Sequence, residues 1–212
     1  MRFRDISIAL ASGTPEWPGD TPYSCGWNAT LAQGSSVNVS TYTTSPHVGT
    51  HADAPLHVRD GWAGSHELPL EAFYGRASVI DVSDASDASG EIGVERIDSA
   101  LSGGTVERLL LKTGCTIGSG TFPESWPALS EACARALLGR GLRLIGVDAP
   151  SVDERHSKSL PVHKMIFSDN ACILENLDLR RIPAGSYELI AFPIKIMSLD
   201  AAPVRAILRD LE

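Results

Sequence analysis

Thiols are scarce in this chain: four cysteines in 212 residues, Cys25, Cys115, Cys133 and Cys172, with no C-x-x-C pair among them. That spacing excludes a thiolate zinc knuckle and a dense disulfide framework, and leaves buried free thiols in a reducing compartment as the expectation. Long apolar runs are missing too. None approaches the roughly 18 residues of a membrane span. Arg2 and Arg4 ahead of Ile-Ser-Ile-Ala-Leu-Ala imitate the start of a secretion signal, but Asp5 and the shortness of the apolar run break the pattern, so a cytoplasmic protein is expected. Positive charge is in deficit, with 18 Lys and Arg against 26 Asp and Glu and a formal charge of −8. Nucleic-acid and membrane-surface binders carry clustered basic residues, so the expected partner is a small molecule. There is no fixed-period repeat and no low-complexity segment. The apolar fraction of 43% is that of a folded globular chain, and the length suits one domain over 1–212.

The order of short helical and strand-like segments predicts an α/β domain with a mixed sheet. Strands are expected at 3–10, 37–43, 77–82, 106–112, 142–147, 171–177 and 187–196, with the runs at 106–112 and 142–147 apolar enough to be buried on both faces. Helices are expected near 68–73, 94–101 and 131–138, and over a few turns from Pro161 to Asn170. Residues 83–90 read as a turn, and 203–208 as a last strand or short helix. The segment Gly13 to Pro22 holds too much Pro and Gly for a regular element. Within it, Pro15 and Pro18 restrict the backbone around Trp17, whose ring could wall a pocket for an aromatic ligand or pack on the core.

What the chain does have is a concentration of histidine. Three of its six histidines, with one aspartate, fall in His47-Val-Gly-Thr-His51-Ala-Asp53-Ala-Pro-Leu-His57. Gly49, Thr50, Asp53 and Pro55 argue against a helix here, and in an extended segment positions 47, 51, 53 and 57 share one side. Imidazole nitrogens and a carboxylate on one side suit Zn²⁺, with Mn²⁺ or Fe²⁺ also accommodated. Single histidines are more often solvated or satisfied in the core, but three beside an aspartate at matching parity meet ligand geometry. Four candidate ligands are one more than a catalytic zinc needs, so one of them is available as a base. Distal partners are His163 and Glu175, the latter inside the apolar stretch Cys172-Ile-Leu-Glu175-Asn-Leu177, where a carboxylate is costly unless paired or ligated. Exposure on an edge strand is the alternative for both. His66 and His156 lie in polar loops and receive no role.

These residues resemble the metal-dependent cyclase-like hydrolases and, within them, the bacterial kynurenine formamidases. The resemblance runs through Thr14-Pro-Glu-Trp17-Pro-Gly-Asp20, the motif at 47–57, Gly146-Val-Asp-Ala-Pro-Ser-Val-Asp153, His163, Glu175, Pro183 to Leu189 and Leu199 to Arg205. It implies a swivelling β/β/α fold and a homodimer or larger homo-oligomer. It further implies that His47, His51 and Asp53 hold one divalent metal, usually zinc, and that Asp53 bridges to a second held by His163 and Glu175. His57 is then the general acid/base and Trp17 a substrate contact.

The implied activity is hydrolysis of N-formyl-L-kynurenine to L-kynurenine and formate in tryptophan degradation. Such a reaction needs an activated water, a polarised carbonyl and protonation of a poor arylamine leaving group. Two alternatives stand beside it: a hydrolase of the same family acting on isatin or another cyclic amide, and a non-catalytic metal- or ligand-binding protein.

Overall fold

The computed structural model describes residues 2–84, 90–101 and 105–211. In chain order its strands are β1 (Phe3–Asp5), β2 (Ser24–Ala29), β3 (Val39–Thr43), β4 (His51–Asp53), β5 (Tyr74–Asp81), β6 (Glu91–Ile92), β7 (Arg108–Lys112), β8 (Ala128–Leu129), β9 (Leu144–Val147), β10 (Cys172–Glu175), β11 (Gly185–Ile190), β12 (Ala201–Pro203) and β13 (Ile207–Asp210). Its α-helices are α1 (Val94–Leu101), α2 (Glu131–Gly139) and α3 (Pro161–Ser168).

Nine strands form one mixed sheet in the order β1-β13-β11-β5-β7-β9-β10-β4-β12. The central four, β5, β7, β9 and β10, are parallel, and antiparallel strands flank them on both sides. The apolar runs of the parallel strands supply both faces at once, because successive side chains alternate. Leu109, Leu111, Ile145, Val147 and Ile173 pack with Ile97, Leu137, Val162 and Ile166 of the three helices. Leu110, Leu144, Cys172 and Leu174 face the other way, onto Ile6, Phe73, Leu189 and Leu208. Leu109, Leu110 and Leu111 are fully buried, and each such side chain contributes about 1.5–3 kcal/mol relative to exposure. The expected α/β fold with a mixed sheet is the one present.

Local chemistry explains the helix ends. Ser130 Oγ accepts from Cys133 N at 3.2 Å and caps α2. At α3 the residue before Pro161 is Leu160, which offers no cap; Asp153 takes over, its carboxylate accepting from Val162 N and His163 N, each at 3.1 Å. No helix among the described residues is long and apolar enough to cross a membrane.

Several expectations need correction. Only Phe3–Asp5 of the opening segment is a strand, and 68–73 is a 3-10 turn over Leu70–Phe73 rather than an α-helix. The strand expected over 187–196 ends at Ile190, and 203–208 divides between β12 and β13. Beyond Ile190 the chain makes only an isolated bridge, Pro193 to Val204, and Pro203 closes β12 opposite His51. The strand β2 was not anticipated; it pairs only with β3, in a hairpin apart from the main sheet. The turn expected over 83–90 lies mostly outside the described residues. The 47–57 motif is extended only at His51–Asp53. His47 lies in a turn and His57 ends a 3-10 turn begun by Pro55.

Candidate metal centre

The motif meets its distal partners through the sheet register. β4 runs antiparallel to β10 with Glu175 opposite His51 and Ile173 opposite Asp53. Ile173 belongs to the helix-facing core, so His51, Asp53 and Glu175 point to the helix side as well. From that side α3 contributes His163 in its first turn. All four are at least 96% buried, which removes surface exposure as an account of Glu175 and His163. The cluster sits beyond the carboxyl ends of β9 and β10, where open α/β sheets bind ligands.

Each imidazole has one nitrogen tied to an oxygen. His51 Nδ1 donates to Gly49 O at 2.9 Å, His163 Nδ1 to Asp153 Oδ2 at 2.7 Å, and His47 Nε2 to Asp200 Oδ2 at 2.9 Å. That leaves His47 Nδ1 and His51 Nε2 facing each other at 3.2 Å, and facing Asp53 Oδ1 at 3.1 and 3.3 Å. Asp53 Oδ1 is buried with no hydrogen bond of acceptable geometry. On its other oxygen, Oδ2, Asp53 meets His163 Nε2 at 3.2 Å, and that nitrogen lies 3.3 Å from Glu175 Oε1.

Buried lone pairs turned toward one another repel unless a cation or protons lie between them. Burial pushes the His47 imidazole down, but the bond to Asp200 and the negative charge of Asp53 3.1 Å away outweigh it and hold the group up at about 10. His163 follows the same pattern: burial lowers it, and Asp153, Asp53 and Glu175 together raise it well above the ordinary imidazole value. Burial likewise raises Asp53, while the charge of His51 and the bond from His163 to Oδ2 bring it well below the carboxylate range.

The triangle of His47 Nδ1, His51 Nε2 and Asp53 Oδ1 has edges of 3.1–3.3 Å. Tetrahedral zinc with bonds of 2.0–2.1 Å separates its ligands by about 3.3–3.4 Å. The donor set therefore fits a divalent metal, and the anchored outer nitrogens are the usual way a protein orients metal-bound imidazoles.

His57 stands beside this cluster. Its ring is 4.5 Å from that of His47 and 5.9 Å from that of His163, and its Nδ1 donates to Asp200 Oδ2 at 3.2 Å. In front lies a cavity of about 660 Å³ lined by His47, His51, His57, His163, Glu175, Asn176, Trp17 and Phe122 among others. That volume is in the range of small-molecule sites. Trp17 combines the two fates left open for it: its ring meets Phe122 and Trp126 edge-on at 5.4 and 5.8 Å, and it also walls the cavity.

Residues 4–154 match the Cyclase family model. The chain belongs to the cyclase family. Among its relatives is the kynurenine formamidase of Bordetella avium (strain 197N), 40% identical over 210 residues that span 99% of each chain. A solved structure of the same kind, described as a potential metal-dependent hydrolase with cyclase activity, superposes with a TM-score of 0.84 at 28% identity, covering 100% of this chain and 98% of its own. Isatin hydrolase A from Labrenzia aggregata, bound to benzyl benzoate, shares the fold at a TM-score of 0.82 and 24% identity, over 98% and 93% of the two chains. The donor cluster of this cyclase-family chain draws on β4, α3 and β10, so its second half lies beyond the matched residues 4–154.

Three residues at the site escaped the sequence reading. Asp153 and Asp200 hold the outer nitrogens, and Asn176 lines the cavity next to Glu175. Their spacing from the histidines carries no periodic signal. His156, given no role, lines the cavity as well, whereas His66 accepts from Ser198 N at 3.2 Å outside it.

Proposed function

We propose that this chain is a metal-dependent arylformamidase that hydrolyses N-formyl-L-kynurenine to L-kynurenine and formate in tryptophan degradation. The observation carrying the reading is the pair of donor triads that share Asp53, in a chain 40% identical over its length to a kynurenine formamidase. His47, His51 and Asp53 would hold one ion and Asp53, His163 and Glu175 a second. Zinc suits three imidazoles with two carboxylates, and Mn²⁺ is also accommodated. When bound, such ions supply polarisation of the formyl carbonyl and acidification of water.

The protein's own part follows from its side chains. His57 donates through Nδ1 to Asp200, which leaves Nε2 unprotonated and free to take a proton from the attacking water. The same nitrogen then returns that proton to the departing aniline nitrogen, so that the leaving group is a neutral arylamine. Trp17, backed by Phe122 and Trp126, offers a flat wall for the substrate's aromatic ring.

A homodimer and a cytoplasmic location belong to the same reading. The hairpin of β2 and β3 exposes Trp27, Leu31, Val37, Val39 and Tyr42, an apolar surface suited to burial against a second copy. Parallel assays on N-formyl-L-kynurenine and isatin test the substrate. Faster formate release than isatin ring opening is expected; the reverse order would transfer the site to cyclic amides.

A further inference from the structure

His57 ends an exposed 3-10 turn, and its side chain is 30% exposed. A histidine in that setting has several rotamers and two neutral tautomers open to it. Among the described residues, the one side chain that hydrogen-bonds its ring is Asp200. The same oxygen, Oδ2, accepts from His47 Nε2 at 2.9 Å and from His57 Nδ1 at 3.2 Å.

Asp200 is itself fixed by backbone. Its carbonyl accepts from Ala54 N at 2.8 Å, and the next residue, Ala201, stands opposite Asp53 in the pairing of β12 with β4. The carbonyl of Ala54 in turn accepts from His57 N at 2.9 Å. The strand end carrying Asp53, the turn carrying His57 and the residue joining them thus form one hydrogen-bonded unit.

We propose that Asp200 is a positioning residue: it holds His57 in the Nδ1–H tautomer with Nε2 turned to the substrate, and ties that ring to the metal-side ring of His47. This rests on the formamidase reading for the role of His57, but the geometry it asserts does not. The carboxylate oxygen reaches two imidazole N–H groups at once, so one side chain sets the distance between the ring that moves protons and a ring that faces Asp53. Glycine or alanine at this place would leave both rings in position to rotate. Nothing in the sheet would be lost, since the backbone pairing of Asp200 is independent of its side chain.

The test uses the zinc-loaded full chain as wild type, D200A and D200N. Metal content, thermal stability, kcat and KM for N-formyl-L-kynurenine, and the tautomer of His57 by nitrogen-15 NMR are measured on each. Wild type is expected to show His57 as the Nδ1–H form. D200A should shift it toward Nε2–H and lower kcat at least about 100-fold, the scale of one acid/base function, with KM within about threefold when zinc is added until its metal content equals that of wild type. D200N, whose amide oxygen can still accept one N–H, should fall between them. Two results would overturn the proposal: an unchanged His57 tautomer in D200A, or a kcat that returns to the wild-type value once its zinc content equals that of wild type. If wild type releases no formate, the formamidase reading fails while the tautomer comparison still decides the role of Asp200.

Discussion

Glu175 at the end of β10 stands directly opposite His51 at the start of β4. The pair joins a strand of the parallel core to an antiparallel neighbour at the place where the two halves of the donor cluster meet. Glu175 Oε1 accepts from Val152 N at 2.9 Å and lies 3.3 Å from His163 Nε2, while Oε2 is 3.8 Å from His51 Nε2. Ala52 and Leu174, one residue along, point into the opposite core. A slip of one residue between β4 and β10 would exchange ligands for apolar side chains.

From this pairing we expect E175Q and D53A to differ in kind. The amide of E175Q keeps the bond from Val152 N but replaces an anionic ligand, so metal content should fall from about two ions per chain to about one. D53A removes the residue common to both triads and should leave almost none. Elemental analysis of chelator-free, gel-filtered protein distinguishes them; equal losses in the two variants would remove Asp53 as a bridge.

Gly49 supports the site from behind. Its φ is +74°, a conformation L side chains rarely adopt, and a Cβ there would lie 2.6 Å from Leu10 Cδ2. Leu10 can turn away, but the backbone strain stays, at about 1–3 kcal/mol. Because Gly49 O holds His51 Nδ1, G49A should both lower Tm and weaken metal binding. On the usual scale of about 2–4 °C per kcal/mol for a chain of this size, a drop of several degrees is expected by calorimetry.

Trp17 is expected to act on binding more than on turnover. W17A removes the ring that walls the cavity and loses its edge contacts to Phe122 and Trp126. KM should rise about fivefold, in keeping with about 1 kcal/mol for an aromatic contact, with kcat little changed. W17F should recover most of the loss. Steady-state kinetics on the three proteins make the comparison.

The thiols give a measurement independent of catalysis. Cys25 is exposed, whereas burial pushes Cys133 and Cys172 up to about 12. A raised thiol is deprotonated only above its folded-state value, so at pH 8 roughly one in ten thousand of these two groups is thiolate. Cys115, half-buried and also raised by burial, should react slowly. Cys25 sits on the hairpin opposite Tyr42, the face a homodimer would cover, so Ellman's reagent should find one fast thiol where that face is free, slowed in the dimer and abolished in C25S, and four thiols after denaturation.

Much of this architecture was legible in the sequence, for identifiable reasons. The strands β7 and β9 announce themselves because burial on both faces demands an unbroken apolar run, and β10 reads as extended. His47, His51, Asp53 and His57 could be read because they are neighbours in the chain. Parity alone joins only His51 and Asp53; the turn at His47 and the 3-10 turn ending at His57 bring in the other two by curvature. Asp200 acts across 153 residues on His47, and Asp153 reaches His163 from ten residues upstream while capping α3. No periodicity encodes such contacts. Strand β3 shows the opposite limit: 37–43 reads as strand, yet Val37, Val39 and Tyr42 lie on the surface rather than in the core.

The most direct measurement is formate release from N-formyl-L-kynurenine by the zinc-loaded protein, by the same protein emptied with a chelator, and after zinc is restored, with H57A at full metal content alongside. Release is expected in the first and third samples, and neither in the emptied protein nor in H57A. Undiminished release from protein shown to be metal-free, or from metal-loaded H57A, would contradict a metal-dependent formamidase that moves its protons through His57.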